Sequence, residues 1–113
     1  MTTEDTLYKG FKTTDGGPQL VWKTNGSSIP VVLGPGPSQE VMNHSPDGFQ
    51  WGYGGSGPSQ LALAILLDVT GDPDLSVRLH QTFKNHFVAS WSDKWQIRNE
   101  DILTWIEENR EAA

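Results

Sequence analysis

The sequence predicts an α+β fold: a small antiparallel sheet from the N-terminal half, packed on a buried central helix, with two further C-terminal helices. Three observations carry this. Of the 12 Gly and 7 Pro, all but Gly71 and Pro73 lie at or before Pro58, so strands and turns come first and helices second. The segment Leu61 to Val69 is apolar on nearly every side, as in a helix buried all round. Leu75, Leu79, Phe83 and Phe87 then recur every four residues, the stripe of an amphipathic helix.

A chain of 113 residues is one domain, 1–113, long enough to fold on its own core. Residues 1–5 read as a frayed terminus, 6–53 as the strand and loop half, and 57–110 as the helical half. Thr6 to Lys12 alternates, and with Leu7 and Phe11 facing the core it makes a first strand. Asp15-Gly16-Gly17-Pro18 is a turn. Gln19 to Thr24 is a second strand, with Leu20 and Trp22 on one face and Val21 and Lys23 on the other. Asn25-Gly26 has the chemistry of a type I′ hairpin, and Ser28 to Leu33 returns, with Pro30 confining that strand to an edge. Ser38 to Met42 suits a short helical turn capped by Ser38. Ser45-Pro46-Asp47-Gly48 has type I turn chemistry. Phe49, Trp51 and Tyr53 alternate with Gln50, Gly52 and Gly54, a short strand with one aromatic face.

The helical half is punctuated by caps. Pro58 suits the first helical position, with Gly57 or Ser56 as cap, and Gly71 ends that helix in a left-handed conformation. Asp72-Pro73-Asp74 opens the next helix with carboxylates at its positive end. Trp95-Gln96-Ile97 is a brief extended piece. Asn99 caps the last helix, which turns Ile102, Leu103, Trp105 and Ile106 inward and Glu107, Glu108 and Arg110 outward.

A net charge of −6 and a pI near 4.8 carry no signal for DNA binding, which needs a basic face. With no Cys there are no disulfides or thiolate metal sites. The polar, acidic start lacks the layout of a signal peptide, and the apolar run of the central helix is too short to span a bilayer. These features predict a cytoplasmic protein without membrane attachment.

The candidate site is the glycine-rich corner Gly54-Gly55-Ser56-Gly57-Pro58. Glycines admit close approach of a ligand, and the first N–H groups of the following helix lack internal partners, so an anion placed there gains hydrogen bonds and a favourable dipole. Ser56 and Ser59 supply hydroxyls and Gln60 an amide. Trp51 and Tyr53 offer faces on which a base can stack. His80 and Lys84, one turn apart on the second helix, become anion partners if that helix packs beside the loop. The same residues also fit a plain strand-to-helix corner above core aromatics, with His80 on a helix surface. The corner lacks the Lys-Ser/Thr pair of a phosphate-binding loop. It differs by one residue from the Gly-x-Ser-x-Gly elbow, but the sequence places no His–Asp pair to activate Ser56. No catalytic residue, cofactor or metal ligand is therefore assigned, and three His without a spacing pattern point to no metal.

The stretch Asn43 to Leu66, including Trp51-Gly-Tyr-Gly-Gly-Ser-Gly-Pro-Ser-Gln60, resembles a family of small bacterial, archaeal and phage proteins classed as domain of unknown function 6166. Leu79-His-Gln-Thr-Phe-Lys84 resembles the family's second helix, where an aromatic often replaces His80. The Trp105-Ile106 helix resembles its tail, and the resemblance covers roughly residues 7 to 107. It implies no established activity. The family's occurrence in phages and mobile elements suggests a host–phage role such as sequestering a nucleotide immune signal. The leading expectation is a non-catalytic protein that binds a small anionic, nucleotide-like ligand at the corner. The alternatives are an interaction or inhibitor module using the acidic helical face of Glu107, Glu108 and Glu111, and a hydrolase using Ser56, His44 or His80.

Overall fold

The computed structural model describes residues 5–13, 16–26 and 28–111. Met1 to Glu4, most of the expected frayed terminus, and Asp15 of the expected first turn lie outside them. The α+β class holds. Strands β1 (Thr6–Phe11), β2 (Val21–Asn25) and β3 (Val31–Val32) come from the N-terminal half. They are followed by α1 (Gly36–Val41), α2 (Ser56–Thr70), α3 (Pro73–His86), a 3-10 turn (Val88–Ser90), β4 (Lys94–Arg98) and α4 (Asn99–Asn109). The sheet is antiparallel in the order β3-β2-β1-β4. Its fourth strand thus comes from the helical half, where Lys94-Trp-Gln-Ile-Arg98 alternates strictly between exposed and buried. The piece expected to be a brief extension is a full strand beside β1.

One face of the sheet is covered by helices, and the register of β1 decides which. The inward residues are Thr6, Tyr8 and Gly10, not Leu7 and Phe11 as the alternation suggested. Phe11 is 47% exposed and Tyr8 only 1%. Two physical reasons select this register. The Tyr8 hydroxyl donates to Asp68 of α2 at 2.6 Å, and Lys23 of β2 pairs with the same carboxylate at 2.8 Å. Gly10 is where two indoles close on the sheet: a Cβ there would lie 2.6 Å from Trp95 Nε1 and 2.8 Å from Trp51 Cη2. Burial, reinforced by the bond to Asp68 and its negative charge, pushes the Tyr8 hydroxyl far above the ordinary tyrosine range.

The Asn25-Gly26 signal marks a reversal, but not a two-residue hairpin. Among the described residues only glycines have positive φ, and Gly26 at 57° is one of them. Asn25 stays in β2 and accepts the Ser28 N–H at 2.9 Å, while its side chain accepts from Thr6 Oγ1 at 3.0 Å. Pro30 leaves β3 only two residues long at the sheet edge, as a residue without an N–H should.

Phe49, Trp51 and Tyr53 do not form a strand. Phe49 makes one isolated bridge to Gln19. The chain then leans on the 3-10 turn, with Gly52 N–H donating to Val88 O at 3.0 Å. Trp51 is buried, meets Trp95 edge-on at 5.5 Å, and donates from Nε1 to Ser92 O at 2.9 Å. Trp95 is itself stacked on Trp91 at 3.9 Å. Tyr53 points out.

The buried helix α2 packs against α1, α3 and α4. It starts at Ser56 with Gly55 as cap, so Pro58 occupies the third helical position rather than the first. It is still within the turn whose N–H groups need no helical acceptor. Gly71 closes it with φ 66°, and Asp72 caps α3 through the Leu75 N–H at 3.1 Å. Helix α1 begins at Gly36 after Pro35, so Ser38 lies inside it rather than capping it. Arg98, not Asn99, is the cap residue of α4; the Asn99 side chain instead accepts the Thr6 N–H at 3.1 Å. Ile102, Trp105 and Ile106 are buried as expected, but Leu103 is 39% exposed. No helix among the described residues is long and apolar enough to cross a membrane.

Candidate functional site

The corner between Trp51 and α2 opens onto a shallow cleft of about 300 Å³. Ser56 and Gly57, the first residues of α2, and the half-exposed Tyr53 ring form one wall. The opposite wall is Gly16–Pro18 together with the turn Ser45 to Gly48. The Gln50 amide, packed beside Gly57, ties the two walls by donating to Gly17 O at 2.6 Å. Gln19 donates to the same carbonyl at 2.7 Å from within the Gly16–Pro18 side. The α2 ladder begins with Ser59 N–H donating to Gly55 O at 3.0 Å. The N–H groups of Ser56 and Gly57 precede that ladder, and Pro58 has none.

The glycines of the corner are not equivalent. A Cβ on Gly57 would lie 2.7 Å from Gln50 Cβ and 3.2 Å from its backbone N, so packing requires that glycine, whereas one on Gly55 would meet only the half-exposed Tyr53 ring, at 2.7 Å from Cε2. Gly52 has φ 89°, a left-handed conformation that favours glycine. Gly54 has no such φ, and a Cβ there would meet nothing within 4 Å. Its lack of a side chain is not explained by the fold.

Of the residues singled out in the sequence, Tyr53, Ser56 and Gly57 line the cleft, and Gly54 and Gly55 adjoin it. Trp51, Ser59 and Gln60 are buried. With Trp51 0% exposed, its ring faces are covered by the core and cannot take a stacked base. Gln60 is a structural clamp. Its Nε2 donates to Ser38 Oγ at 2.9 Å and Met42 O at 3.2 Å, and its Oε1 accepts from His44 N at 2.7 Å and Ser45 N at 3.0 Å. Ser59 donates to Gln81 Oε1 at 3.3 Å.

His80 and Lys84 do not reach the cleft, whose lining among the described residues contains no Lys, Arg or His and one charged side chain, Asp47. His80 is 3% exposed rather than on a helix surface. Its Nδ1 donates to Val77 O at 2.6 Å, which leaves an Nε2 lone pair 2.9 Å from His44 Nε2. Burial lowers the His80 pKa, and the His44 and Lys84 charges lower it further, against the Val77 hydrogen bond that raises it. The sequence missed this His–His contact because 36 positions separate the two residues and no local spacing announces it. It also missed the cleft's second wall: Ser45 to Gly48 was legible as a turn, not as a surface facing α2.

The fold and the cleft define a small α+β protein with a preformed recess at the start of its central helix. The chain matches the family of unknown function DUF6166 over residues 8–108, and it belongs to that family. No curated protein and no solved structure matches the chain. Among the described residues, no group of three or more His, Cys, Asp or Glu converges as a metal-ligand set.

Proposed function

We propose that the protein is a non-catalytic cytoplasmic binder of a small anionic ligand, a nucleotide or nucleotide-derived signal, held in the cleft at the start of α2. The observation that carries this reading is the position of the roughly 300 Å³ recess directly over Ser56 and Gly57. Two backbone donors at the positive end of a buried 15-residue helix suit a phosphate or carboxylate oxygen. Ser56 Oγ adds a third donor. The exposed Tyr53 ring replaces Trp51 as the stacking surface, and Gly54 leaves the approach to it open. Asp47 on the far wall disfavours a highly charged polyphosphate and accepts from hydroxyl or amino groups. The reading is therefore of an anionic ligand of low charge with a donor-bearing ring. Capture of such a molecule fits a sequestering role in a phage or mobile element.

Thermal-shift titration against nucleoside monophosphates, cyclic dinucleotides and ADP-ribose derivatives tests it. A bound ligand raises the melting temperature progressively with its concentration. Absence of any shift across the panel would overturn the proposal.

A second reading has its own support where α2, α3 and α4 meet. Leu75, Leu103 and Ile106 line a groove of about 420 Å³ rimmed by Asp72, Glu107 and Arg110, the last paired with Glu107 at 3.2 Å. An apolar floor with a rim of both charges suits an amphipathic helix of a protein partner. Capture of a partner that is lost in a Glu107→Lys, Glu108→Lys variant, with no response to the small-molecule panel, would favour it.

A further inference from the structure

We infer that His44 and His80 form the protein part of a site for a divalent d-block cation of the zinc class. The inference rests on the convergence of their Nε2 atoms, not on the cleft. Those atoms lie 2.9 Å apart. Two imidazole nitrogens on one tetrahedral zinc, each at about 2.0–2.1 Å, stand roughly 3.3 Å from one another. A separation of a few tenths of an ångström converts the contact into a chelate. His44 can give way, because it sits half-buried in the loop before the 45–48 turn, while its backbone stays anchored by Gln60.

The surroundings are those of a ligand pair. His80 Nδ1 donates to the Val77 carbonyl, the outer contact that fixes the tautomer of metal-binding histidines and directs the Nε2 lone pair at the ion. One proton now lies between the two Nε2 atoms, and His44 carries it, since the His80 proton is on Nδ1. A cation takes that proton's place. His44 then holds its proton on Nδ1. Gln81 Nε2 is 3.3 Å from His80 Nε2. A half-turn of that amide presents Oε1 at the same point, and Ser59 Oγ, now donating to Oε1, can accept from the turned NH₂. The set is then two imidazoles and a neutral amide oxygen, with water completing four-coordination.

This donor set selects the metal. Among the described residues no carboxylate hydrogen-bonds either ring, which disfavours Mg²⁺ and Ca²⁺ with their demand for several oxygen ligands. Imidazole suits Zn²⁺, Ni²⁺ and Cu²⁺. The third histidine, His86, lies apart against Phe87 and Trp105 and serves as an internal control.

Calorimetric titration of the full chain with Zn²⁺ at pH 7.5 tests the site, with imidazole proton resonances recorded in parallel. The expected result is 1:1 binding, at least tenfold weaker in His44→Ala and unchanged in His86→Ala, with shifts confined to the His44 and His80 rings. His44→Ala removes a half-buried loop side chain and keeps the Gln60 contact to its backbone, so the fold survives it, as circular dichroism will report. His80→Gln supplies a second variant of similar reach. No saturable binding in the wild type would overturn the inference. Equal affinity in His44→Ala, or shifts centred on His86, would do so as well.

Discussion

Gln60 Oε1 accepts the backbone N–H of His44 at 2.7 Å, and through this contact the central helix holds the loop that shapes the cleft. The same oxygen takes the Ser45 N–H, and the amide nitrogen holds Ser38 and Met42. A fully buried amide with four bonds leaves several groups unsatisfied when it is removed. Gln60→Leu should cost about 3 kcal/mol, read as a lower denaturation midpoint in urea. It should also broaden the resonances of residues 38–48 before global unfolding. A loss under 1 kcal/mol would show that the loop is held by other contacts.

Gly10 faces Trp95 and Trp51 at distances no Cβ can occupy. Gly10→Ala must push two indoles that are already engaged, Trp51 with Ser92 O and Trp95 with the Trp91 ring. Overpacking of this kind costs about 1–3 kcal/mol. Near-ultraviolet circular dichroism, dominated here by the tryptophan cluster, should change with it. Gly54→Ala, with open space around it, is the matched control and should leave stability unaltered.

Much of the fold is legible in the sequence because caps and breakers are local signals. Asp72-Pro73, Gly71 and the apolar stretch from Leu61 each act within a turn or two, so their positions held to within two residues. The register of β1 was not legible. Leu7, Tyr8 and Phe11 are all apolar enough for a core, and the choice rests on Asp68, 60 residues from Tyr8, and on a glycine beneath two distant indoles. The aromatic run at 49–53 alternates like a strand, yet beyond the Phe49 bridge its neighbour is the 3-10 turn, not a strand to pair with. For the site, the glycine corner was readable as a helix start, whereas Trp51, Ser59 and Gln60 are polar or aromatic for reasons internal to the core. Sequence chemistry alone does not separate a buried satisfied amide from an exposed one.

The Tyr8 hydroxyl ties β1 to α2 through Asp68, and Lys23 ties β2 to the same oxygen. Tyr8→Phe removes a bond to an ionised acceptor but leaves Asp68 its Lys23 partner. The expected loss is about 1–2 kcal/mol. Asp68→Asn in the Tyr8→Phe background should then cost less than in the wild type. Strict additivity in that double-mutant cycle would show that the two groups are not coupled.

His80 makes the fold sensitive to mild acid. Its pKa is lowered in the folded protein by burial, then by the His44 and Lys84 charges, so the unfolded chain binds the proton more readily. The stability this neutral imidazole contributes is fully present above its ordinary pKa of 6.5 and is lost as pH falls through the lowered value. Protonated His80 would also point an Nε2–H at the proton His44 already donates. Wild type should lose stability relative to His80→Phe between pH 7.5 and about 5, while the two should run parallel above neutrality. Parallel curves throughout would mean that His80 does not titrate differently on folding.

The cleft and the core can be separated by the glycines around Ser56. Gly57 carries a packing constraint against Gln50, so alanine there lowers stability and binding together, whereas alanine at Gly55 displaces the exposed Tyr53 ring and acts on binding. Gly54 carries neither a packing nor a φ constraint. Gly54→Val should therefore keep the wild-type melting temperature without ligand, yet lose most of the shift produced by a nucleotide that binds the parent protein. Ser56→Ala, at an exposed position in the first turn, should behave likewise, with about tenfold weaker affinity for a lost charge-assisted hydrogen bond. Tyr53→Leu keeps bulk over Gly55 but removes the flat ring. It should weaken ligands that carry a base far more than inorganic phosphate. Equal losses for both would assign Tyr53 to shaping the corner rather than to stacking.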